Sequence, residues 1–259
     1  MKEILRFGLF PWFSLALFAA EPAVDLRFVA ARPGAYPATP VPPTLGVQSP
    51  AGAVRLFDGK NLEAWAKKAG KDWLKEDGPA RWQLVEGNAV EVVPSSDSLI
   101  SRRQFGDCHV HLEFRTLGAP TNSGIYFQAR YEVDINESFG RADGLPCGNL
   151  GNCTPKGTVP LARASRAPLE WQTLDVDFRA PRFDAAGKKT ANARATVLLN
   201  GQKLYDAQEL NPPTGPPAVS AKRRPDRSCC RSTACPCSSA TCGLRRKNSA
   251  LPPSPLVLC

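Results

Sequence analysis

Short alternating segments separated by turn residues constrain the fold of this chain most. Residues Cys108–Leu117 alternate apolar and polar side chains, as a strand with one buried face requires. Ala195–Leu199 is followed by Asn200-Gly201, a dipeptide typical of a tight hairpin, and the chain returns through Gln202–Tyr205. Similar short segments recur along the middle of the chain, with few helical stretches. The pattern predicts an all-β fold of the β-sandwich type.

Charge and cysteine are concentrated at the C-terminal end. The formal net charge is +9, but residues 213–259 hold eight Lys or Arg and one acid, so the remainder carries only +2. Six of the nine cysteines lie in the same tail, without a nearby His and without paired CxxC spacing. The charge therefore does not predict a nucleic-acid partner, and the cysteines do not predict a zinc site.

The N-terminus predicts an exported protein. Lys2 and Arg6 flank the start of an apolar segment, Phe7–Ala20, that is too short to span a membrane comfortably. We interpret residues 1–20 as a signal peptide, with a buried hydrophobic helix as the alternative, and residues 21–53 as a proline-rich spacer. The predicted location is periplasmic or secreted, with no membrane insertion after signal removal.

Export also bears on the cysteines of the body of the chain. An oxidising compartment would permit a Cys147–Cys153 disulfide, and the alternative is two thiols in a loop.

Three acids occur together on a predicted strand within Asn122–Ser138. Glu132 and Asp134 are two residues apart, so a strand directs both to the same face. A β-bulge at Asn136 would return Glu137 to that face. Neighbouring carboxyl groups in such an arrangement keep one acid protonated and another ionised, which is what cleavage of sugars needs. The three acids are therefore predicted to be catalytic.

Four further residues are predicted to bind an oligosaccharide substrate. Tyr126 and Gln128 lie on the preceding predicted strand, Arg130 provides a cation on the face of the acids, and Trp65 could stack on a sugar ring. The alternative for the acids is a solvated sheet face paired with Arg or Lys side chains, and the alternative for the Trp is burial.

Several segments together resemble the 3-keto-disaccharide hydrolase domain family. They occur in the family's order, at Leu56–Trp65, Phe105–Arg115, Asn122–Ser138, Ala167–Asp184 and Ala195–Leu204. The resemblance covers residues 54–212 and implies a concanavalin-like jelly roll. It also implies cleavage of glycosides already oxidised at C3. The family's usual strand resembles YEVQILDS, from which this chain departs at Asp134 and Glu137.

The tail departs from the resemblance. The family ends with a strand pair resembling GP-[LIV]-x-LQDHGxPVxFRNIWI, whereas residues 213–259 carry the basic, Cys-rich run. If the DNA that encodes Pro225–Arg245 is read one base earlier, one allowed choice of codons gives GPVLLQEHGMPVQFRNLWIAP. We therefore predict a frameshift near Pro213–Ser220. The fold would then lack its last two strands and the tail would be disordered. A genuine Cys-rich tail is the alternative.

The implied chemistry begins at the sugar ketone. A ketone at C3 acidifies the proton on C2, so a base can remove it while the group on C1 leaves. Glu132 is the leading candidate for the base. The enolate needs a cationic partner, either Arg130 or a divalent metal, and the sequence does not identify a cofactor. His109, His111 and Glu113 have a spacing that could hold a metal, but exposure on a half-hydrated sheet is favoured.

Two other functions fit parts of the pattern. The spacing of Glu132, Asp134 and Glu137 also resembles the catalytic strand of laminarinase–lichenase glucanases, with Glu132 as nucleophile and Glu137 as acid/base. A non-catalytic carbohydrate-binding module could use the same fold.

Overall fold

The regular structure of the described residues consists almost entirely of β-strands, joined by loops. The structure, a computed structural model, describes residues 29–70, 72–93 and 96–211 and three tail segments, 237–239, 243–246 and 254–258. One 3-10 helix occurs at Gly151–Cys153. The strands are, in chain order, β1 (Val29–Ala30), β2 (Val54–Arg55), β3 (Trp65–Ala69), β4 (Asp72–Pro79), β5 (Gln83–Val85), β6 (Ala89–Glu91), β7 (Leu99–Phe105), β8 (Cys108–Thr116), β9 (Gly118–Ala119), β10 (Asn122–Phe127), β11 (Tyr131–Asn136), β12 (Gln172–Arg179), β13 (Arg182–Phe183), β14 (Lys189–Ala191), β15 (Ala193–Leu199), β16 (Gln202–Leu210), β17 (Cys237–Ser239), β18 (Gly243–Arg246) and β19 (Ser254–Leu258).

Two antiparallel sheets make up the sandwich. The small sheet has the order β11-β10-β19-β7-β3-β4, and the large sheet has the order β16-β15-β12-β8-β17-β6-β5, with β18 and β2 attached beside β8. This arrangement confirms the predicted all-β, jelly-roll class. Strands β11 and β16 each lie at the end of their sheet, where the remaining backbone edge needs other partners.

The core lies between the sheets, where the alternation of the strands predicts it. Cys108, Val110, Leu112 and Phe114 of β8 are all buried in one cluster, as their period-2 spacing requires. From the small sheet, the ring of Phe127 stacks on Phe178 of the large sheet, with centroids 4.7 Å apart. Full burial of side chains of this size contributes roughly 1.5–3 kcal/mol each to folding.

The predicted hairpin at Asn200-Gly201 is present. β15 and β16 pair on either side of it, with Leu199 opposite Gln202, and both turn residues have positive φ. Asn and Gly adopt this backbone conformation at the least cost, so the sequence determines the turn locally.

Three tail segments occupy positions inside both sheets. β17 pairs with β6 and β8, β18 pairs with β2 and β8, and β19 lies between β10 and β7. The expected absence of regular structure therefore does not hold for these segments. Buried strands need backbone partners, and any extended segment supplies them whatever its side chains. The remaining residues of 212–259 lie outside the described residues, and the frameshift stays a prediction for nucleotide sequencing.

Part of the predicted spacer packs on the large sheet. We call residues 39–46 the N-terminal segment. The Arg166 guanidinium donates to Thr39 Oγ1 at 2.7 Å and to the Thr39 carbonyl oxygen at 2.9 Å. Thr44 donates to Asp175 Oδ2 at 3.0 Å, and the backbone N–H of Gly46 donates to Glu113. This stretch is thus bound to the domain rather than a simple linker, because it satisfies buried polar groups on the sheet.

The predicted signal peptide, residues 1–20, lies outside the described residues. Within the described ranges, no helix has the length and apolar character that crossing a membrane requires.

Candidate active site

The hairpin of β10 and β11 positions the candidate acids. Its register sets Tyr126 opposite Glu132 and Gly124 opposite Asp134. The alternate residues of both strands are buried in the core and belong to the main hydrophobic cluster, namely Ile125, Phe127, Tyr131, Val133 and Ile135. Since neighbours along a strand point to opposite faces, Glu132 and Asp134 share the face directed away from the core.

Glu132 lies over a glycine. A Cβ added at Gly124 would lie 3.0 Å from Glu132 Oε1 and 3.3 Å from its Cγ, so only glycine leaves this space open. Burial raises the pKa of Glu132, and a hydrogen bond from the Tyr126 hydroxyl lowers it. The backbone N–H of Glu132 donates to Cys153 Sγ at 3.3 Å. Glu132 is half-buried, whereas Asp134 is only 5% exposed, so Glu132 is the acid of this pair that a ligand can reach.

Asp134 is held by the loop that follows β11. Asn149 Nδ2 donates to Asp134 Oδ2 at 2.7 Å, and the backbone N–H of Gly151 donates to the same carboxyl group. Burial and the nearby charge of Glu132 raise the pKa of Asp134 to about 7, against the lowering effect of these two donors. Burial thus raises the pKa of both acids, and the charge of Glu132 further opposes the ionisation of Asp134.

Glu137 does not join the pair. The register of β10 with β11 runs without a shift from Phe127–Tyr131 to Asn122–Asn136, so the predicted bulge at Asn136 is wrong. β11 ends at Asn136, where its partner strand begins, and a bulge would have no strand opposite it. The Glu137 carboxylate accepts hydrogen bonds from the Thr116 hydroxyl of β8 and from the Phe139 N–H at 3.0 Å. Burial raises the pKa of Glu137, and these two bonds lower it.

Gln128 and Arg130 lie in the hairpin turn. Gln128 and Ala129 both have positive φ, and the N–H of Arg130 donates to the Phe127 carbonyl oxygen at 3.1 Å. This geometry is that of a type I′ turn, which pure strand periodicity does not foresee. The prediction that Gln128 lies on a strand is therefore wrong. Arg130 is half-buried directly before β11.

Trp65 cannot bind a sugar. Its side chain is 1% exposed and belongs to the core cluster, so the prediction of a substrate contact is wrong and the alternative of burial holds. β3 pairs with β7, and Trp65 lies opposite Ser101 in this pairing. The indole ring is large enough to fill space between the two sheets. Tyr126, in contrast, lies on the face of the acids, where it contacts Glu132.

A second polar cluster lies on the large sheet. His111 Nδ1 is 2.6 Å from Asp175 Oδ1, and its Nε2 is 3.5 Å from Glu113 Oε1. His111 and Glu113 are buried beneath the N-terminal segment rather than exposed as expected, while His109 is partly exposed. Both nitrogens of His111 thus face carboxylates. Among the described residues, no group of three or more His, Cys, Asp or Glu side chains is arranged to hold a metal ion.

The two cysteines of the long loop are thiols. Cys147 and Cys153 are fully buried, and Cys153 Sγ donates to the Arg130 carbonyl oxygen at 3.7 Å. The predicted disulfide between them is therefore wrong, and the alternative of thiols in a loop holds. Burial raises the pKa of Cys147 to about 12, so its thiol is not a nucleophile at neutral pH.

The sequence interpretation missed residues that shape the site. Asn149 and Gly151 belong to a long Gly- and Pro-rich loop and donate hydrogen bonds to Asp134. Tyr205 lies on β16, distant in sequence, and its hydroxyl donates to Asn149 Oδ1 at 3.0 Å. No local pattern identifies these three. Gly124 carried a usable signal, since a glycine inside a strand often marks the close approach of another group.

A match to a family model identifies the family of this chain. The model of the 3-keto-alpha-glucoside-1,2-lyase-like domain matches residues 52–227, which is more than half of the chain. The chain belongs to this family. The match begins close to the predicted start of the domain at residue 54 and ends within the tail, beyond the predicted boundary at 212. A comparison with curated proteins gave no match.

Solved structures share the fold. A protein of Parabacteroides distasonis ATCC 8503, provisionally named a glycosyl hydrolase and solved at 2.13 Å, is 23% identical with a TM-score of 0.54, over 80% of this chain and 83% of its own. Two further proteins of that organism with the same provisional name are 16% and 18% identical, with TM-scores of 0.46 and 0.48. They cover 78% and 75% of this chain, and 88% and 99% of their own. The first of the three supports the β-sandwich assignment.

Proposed function

We propose that this chain cleaves glycosides that carry a ketone at C3 of the sugar. The family, whose description names a 3-keto-glucoside 1,2-lyase, supports this substrate class. The provisional name of the Parabacteroides distasonis protein with the TM-score of 0.54, glycosyl hydrolase, is in keeping with it. The observation that carries the proposal is the carboxyl group of Glu132, half-buried on the face away from the core, over Gly124 and hydrogen-bonded by Tyr126.

Glu132 acts as the general base. A carboxylate removes a carbon-bound proton better when its basicity is increased, and burial raises the pKa of Glu132 in that direction. Glu132 takes the proton from C2, and the electron pair of that C–H bond forms the enolate of the C3 ketone. The enolate then forms the C1=C2 double bond, and the C1–O bond breaks with its electron pair on the leaving oxygen. A proton delivered to that oxygen completes the elimination, and addition of water to the double bond gives net hydrolysis.

Arg130 stabilises the enolate in this proposal. It lies two residues before Glu132 along the chain, directly before β11, and is half-buried, and a cation partly shielded from water stabilises developing negative charge better than one in open solvent. Asp134 is buried, and its role is to influence the basicity of Glu132 through its charge rather than to touch the substrate.

The arrangement does not favour a retaining glucanase. That mechanism needs the carboxyl groups of Glu132 and Glu137 about 5–5.5 Å apart on opposite sides of one glycosidic bond. Glu137 is instead hydrogen-bonded to Thr116 at the end of a large-sheet strand. A binding module without catalysis remains the non-enzymatic alternative.

A substrate panel tests the proposal. The full chain is incubated with a 3-keto disaccharide, with the same disaccharide unoxidised, and with a plain β-glucan. We expect cleavage of the 3-keto substrate only, and a loss of about 10²–10⁴-fold in Glu132→Gln. Glu86→Gln, in the exposed turn between β5 and β6, is the matched control and should retain full activity. Cleavage of the β-glucan, or binding without turnover, would overturn the proposal in favour of one of the alternatives.

Export belongs to the same proposal. It rests on the apolar segment at residues 7–20, and N-terminal sequencing of the protein from the periplasm or medium tests it. A mature protein that retains Met1 and stays in the cytoplasm would contradict export without affecting the proposed reaction.

A further inference from the structure

A chain of hydrogen bonds connects the candidate site to the opposite sheet. Asp134 lies on β11 at the end of the small sheet, and Tyr205 lies on β16 at the end of the large sheet. Asn149 bridges them, because its Nδ2 donates to Asp134 Oδ2 at 2.7 Å and its Oδ1 accepts from the Tyr205 hydroxyl at 3.0 Å. All three side chains are buried. Water is thus largely excluded as a competitor for these bonds, so each is worth more than on the surface.

A backbone N–H group determines the donor and acceptor direction of these hydrogen bonds. The N–H of Leu150 donates to the phenolic oxygen of Tyr205, so the phenolic proton is available for Asn149 Oδ1. A side-chain amide has nearly the same shape in its two orientations, and its partners decide which one it adopts. Since its oxygen accepts from Tyr205, Asn149 must present its NH₂ group to Asp134.

The loop holds this geometry firmly. The N–H of Asp134 donates to the Asn149 carbonyl oxygen at 2.8 Å, and the N–H of Gly148 donates to the Asp134 carbonyl oxygen at 2.7 Å. A Cβ at Gly148 would lie 2.4 Å from Leu204 Cδ1, so the loop packs tightly on β16 as well. Asn149 therefore has little freedom to move away from either partner.

We propose that Tyr205, acting through Asn149, is a positioning residue that keeps the Asp134 carboxylate oriented and ionisable beside Glu132. Without the hydrogen bonds from Asn149 and Gly151, burial and the charge of Glu132 would leave Asp134 protonated over a wider pH range, and the negative charge of Asp134 beside Glu132 would be absent over that range. The titratable groups that face Asp134 from the surrounding elements are Glu132, Tyr126, Cys147 and Tyr205. The role in catalysis rests on the proposed function, whereas the effect on the titration of Asp134 does not.

The titration of Asp134 is measured directly. The carboxyl carbon of Asp134 is followed by ¹³C NMR against pH in the full chain and assigned by its loss in Asp134→Asn. Tyr205→Phe deletes only the hydroxyl, and Asn149→Leu deletes the amide at similar volume. We expect the Asp134 midpoint to rise in Tyr205→Phe, and to rise by about one to two pH units in Asn149→Leu, as loss of a hydrogen bond to a charged group predicts. Tyr36→Phe, at an exposed tyrosine, is the matched control and should leave the midpoint unchanged.

A second measurement uses the reaction. With a 3-keto disaccharide, the acid limb of the pH profile of kcat/KM should move to lower pH in Tyr205→Phe, because an Asp134 that stays neutral removes a negative charge from beside the base Glu132. KM at the optimum should stay close to that of the unaltered chain. A purely structural role would lower the melting temperature without moving the profile. If the unaltered chain cleaves no 3-keto glycoside, the proposed function fails and the NMR titration alone decides the positioning role. An Asp134 midpoint unchanged in Tyr205→Phe and in a folded Asn149→Leu overturns the inference.

Discussion

The buried His111 makes the stability of this domain dependent on pH. Burial alone would lower its pKa, but the hydrogen bond to Asp175 and the negative charges of Asp175 and of Glu113, 3.5 Å from Nε2, raise it from 6.5 to about 9. The charged imidazolium is therefore the form that the folded protein prefers. Its nitrogens face the two carboxylates that also bind Thr44 and Gly46 of the N-terminal segment.

The direction of the effect follows from proton linkage. A group whose pKa is raised on folding contributes stability that is fully present below the unfolded value of 6.5 and is lost as the pH rises through about 9. The difference of the two values corresponds to about 3 kcal/mol at most, at about 1.4 kcal/mol per pH unit. For a domain of this size that equals roughly 6–12 °C in melting temperature.

The assay compares unfolding of the full chain and of His111→Gln between pH 6 and pH 10. Other groups also titrate at alkaline pH, so the informative quantity is the difference between the two proteins. The free energy of unfolding of the unaltered chain should fall by about 3 kcal/mol more than that of His111→Gln across this range. Equal pH dependence in the two proteins would show that His111 is not charged in the folded state and would refute the reasoning.

Three further changes test the hairpin of the candidate site. Gly124→Ala would place a methyl group 3.0 Å from Glu132 Oε1. It should lower kcat on a 3-keto disaccharide at least about tenfold, with little change in melting temperature. An unchanged kcat would mean that Glu132 does not need this space. Tyr126→Phe removes the hydrogen-bond donor that lowers the pKa of Glu132. The acid limb of the pH–rate profile should therefore move to higher pH. A shift to lower pH would contradict the assignment of Glu132 as the base. The double substitution Gln128→Asn and Ala129→Gly places the residues that a type I′ turn prefers at two positions with positive φ. The free energy of unfolding, measured by urea denaturation, should rise by about 1 kcal/mol. A decrease would argue against the turn geometry.

The strands were predictable because their signals are local. The alternation in Cys108–Leu117 indicates the inward face of β8 correctly, and Asn200-Gly201 indicates the turn between β15 and β16. The shared face of Glu132 and Asp134 follows from the same period of two. Each of these features depends on neighbours in sequence, which a single chain displays directly.

The failures come from contacts between distant residues. The sequence around Trp65 is compatible with a sugar-stacking residue, but the packing of the two sheets buries this side chain. The outward face of β8 is predicted to be solvent-exposed, but the N-terminal segment covers part of it. Glu137 was expected to return to the site through a bulge, but the strand ends first and Thr116 binds its carboxylate. Asn149 reaches Asp134 only because a long loop folds back along β11. Periodicity along a strand contains no information about such contacts.

The most direct test of the proposed chemistry follows deuterium at C2 of a 3-keto glycoside. If Glu132 removes the C2 proton, the C2-deuterated substrate should be cleaved several-fold more slowly than the protonated one. Glu132→Gln should slow both the cleavage of the substrate and the exchange of its C2 deuterium for solvent protons by about 10²–10⁴-fold. Cleavage at equal rates for both substrates, retained in Glu132→Gln, would contradict proton abstraction at C2 and the role assigned to this residue.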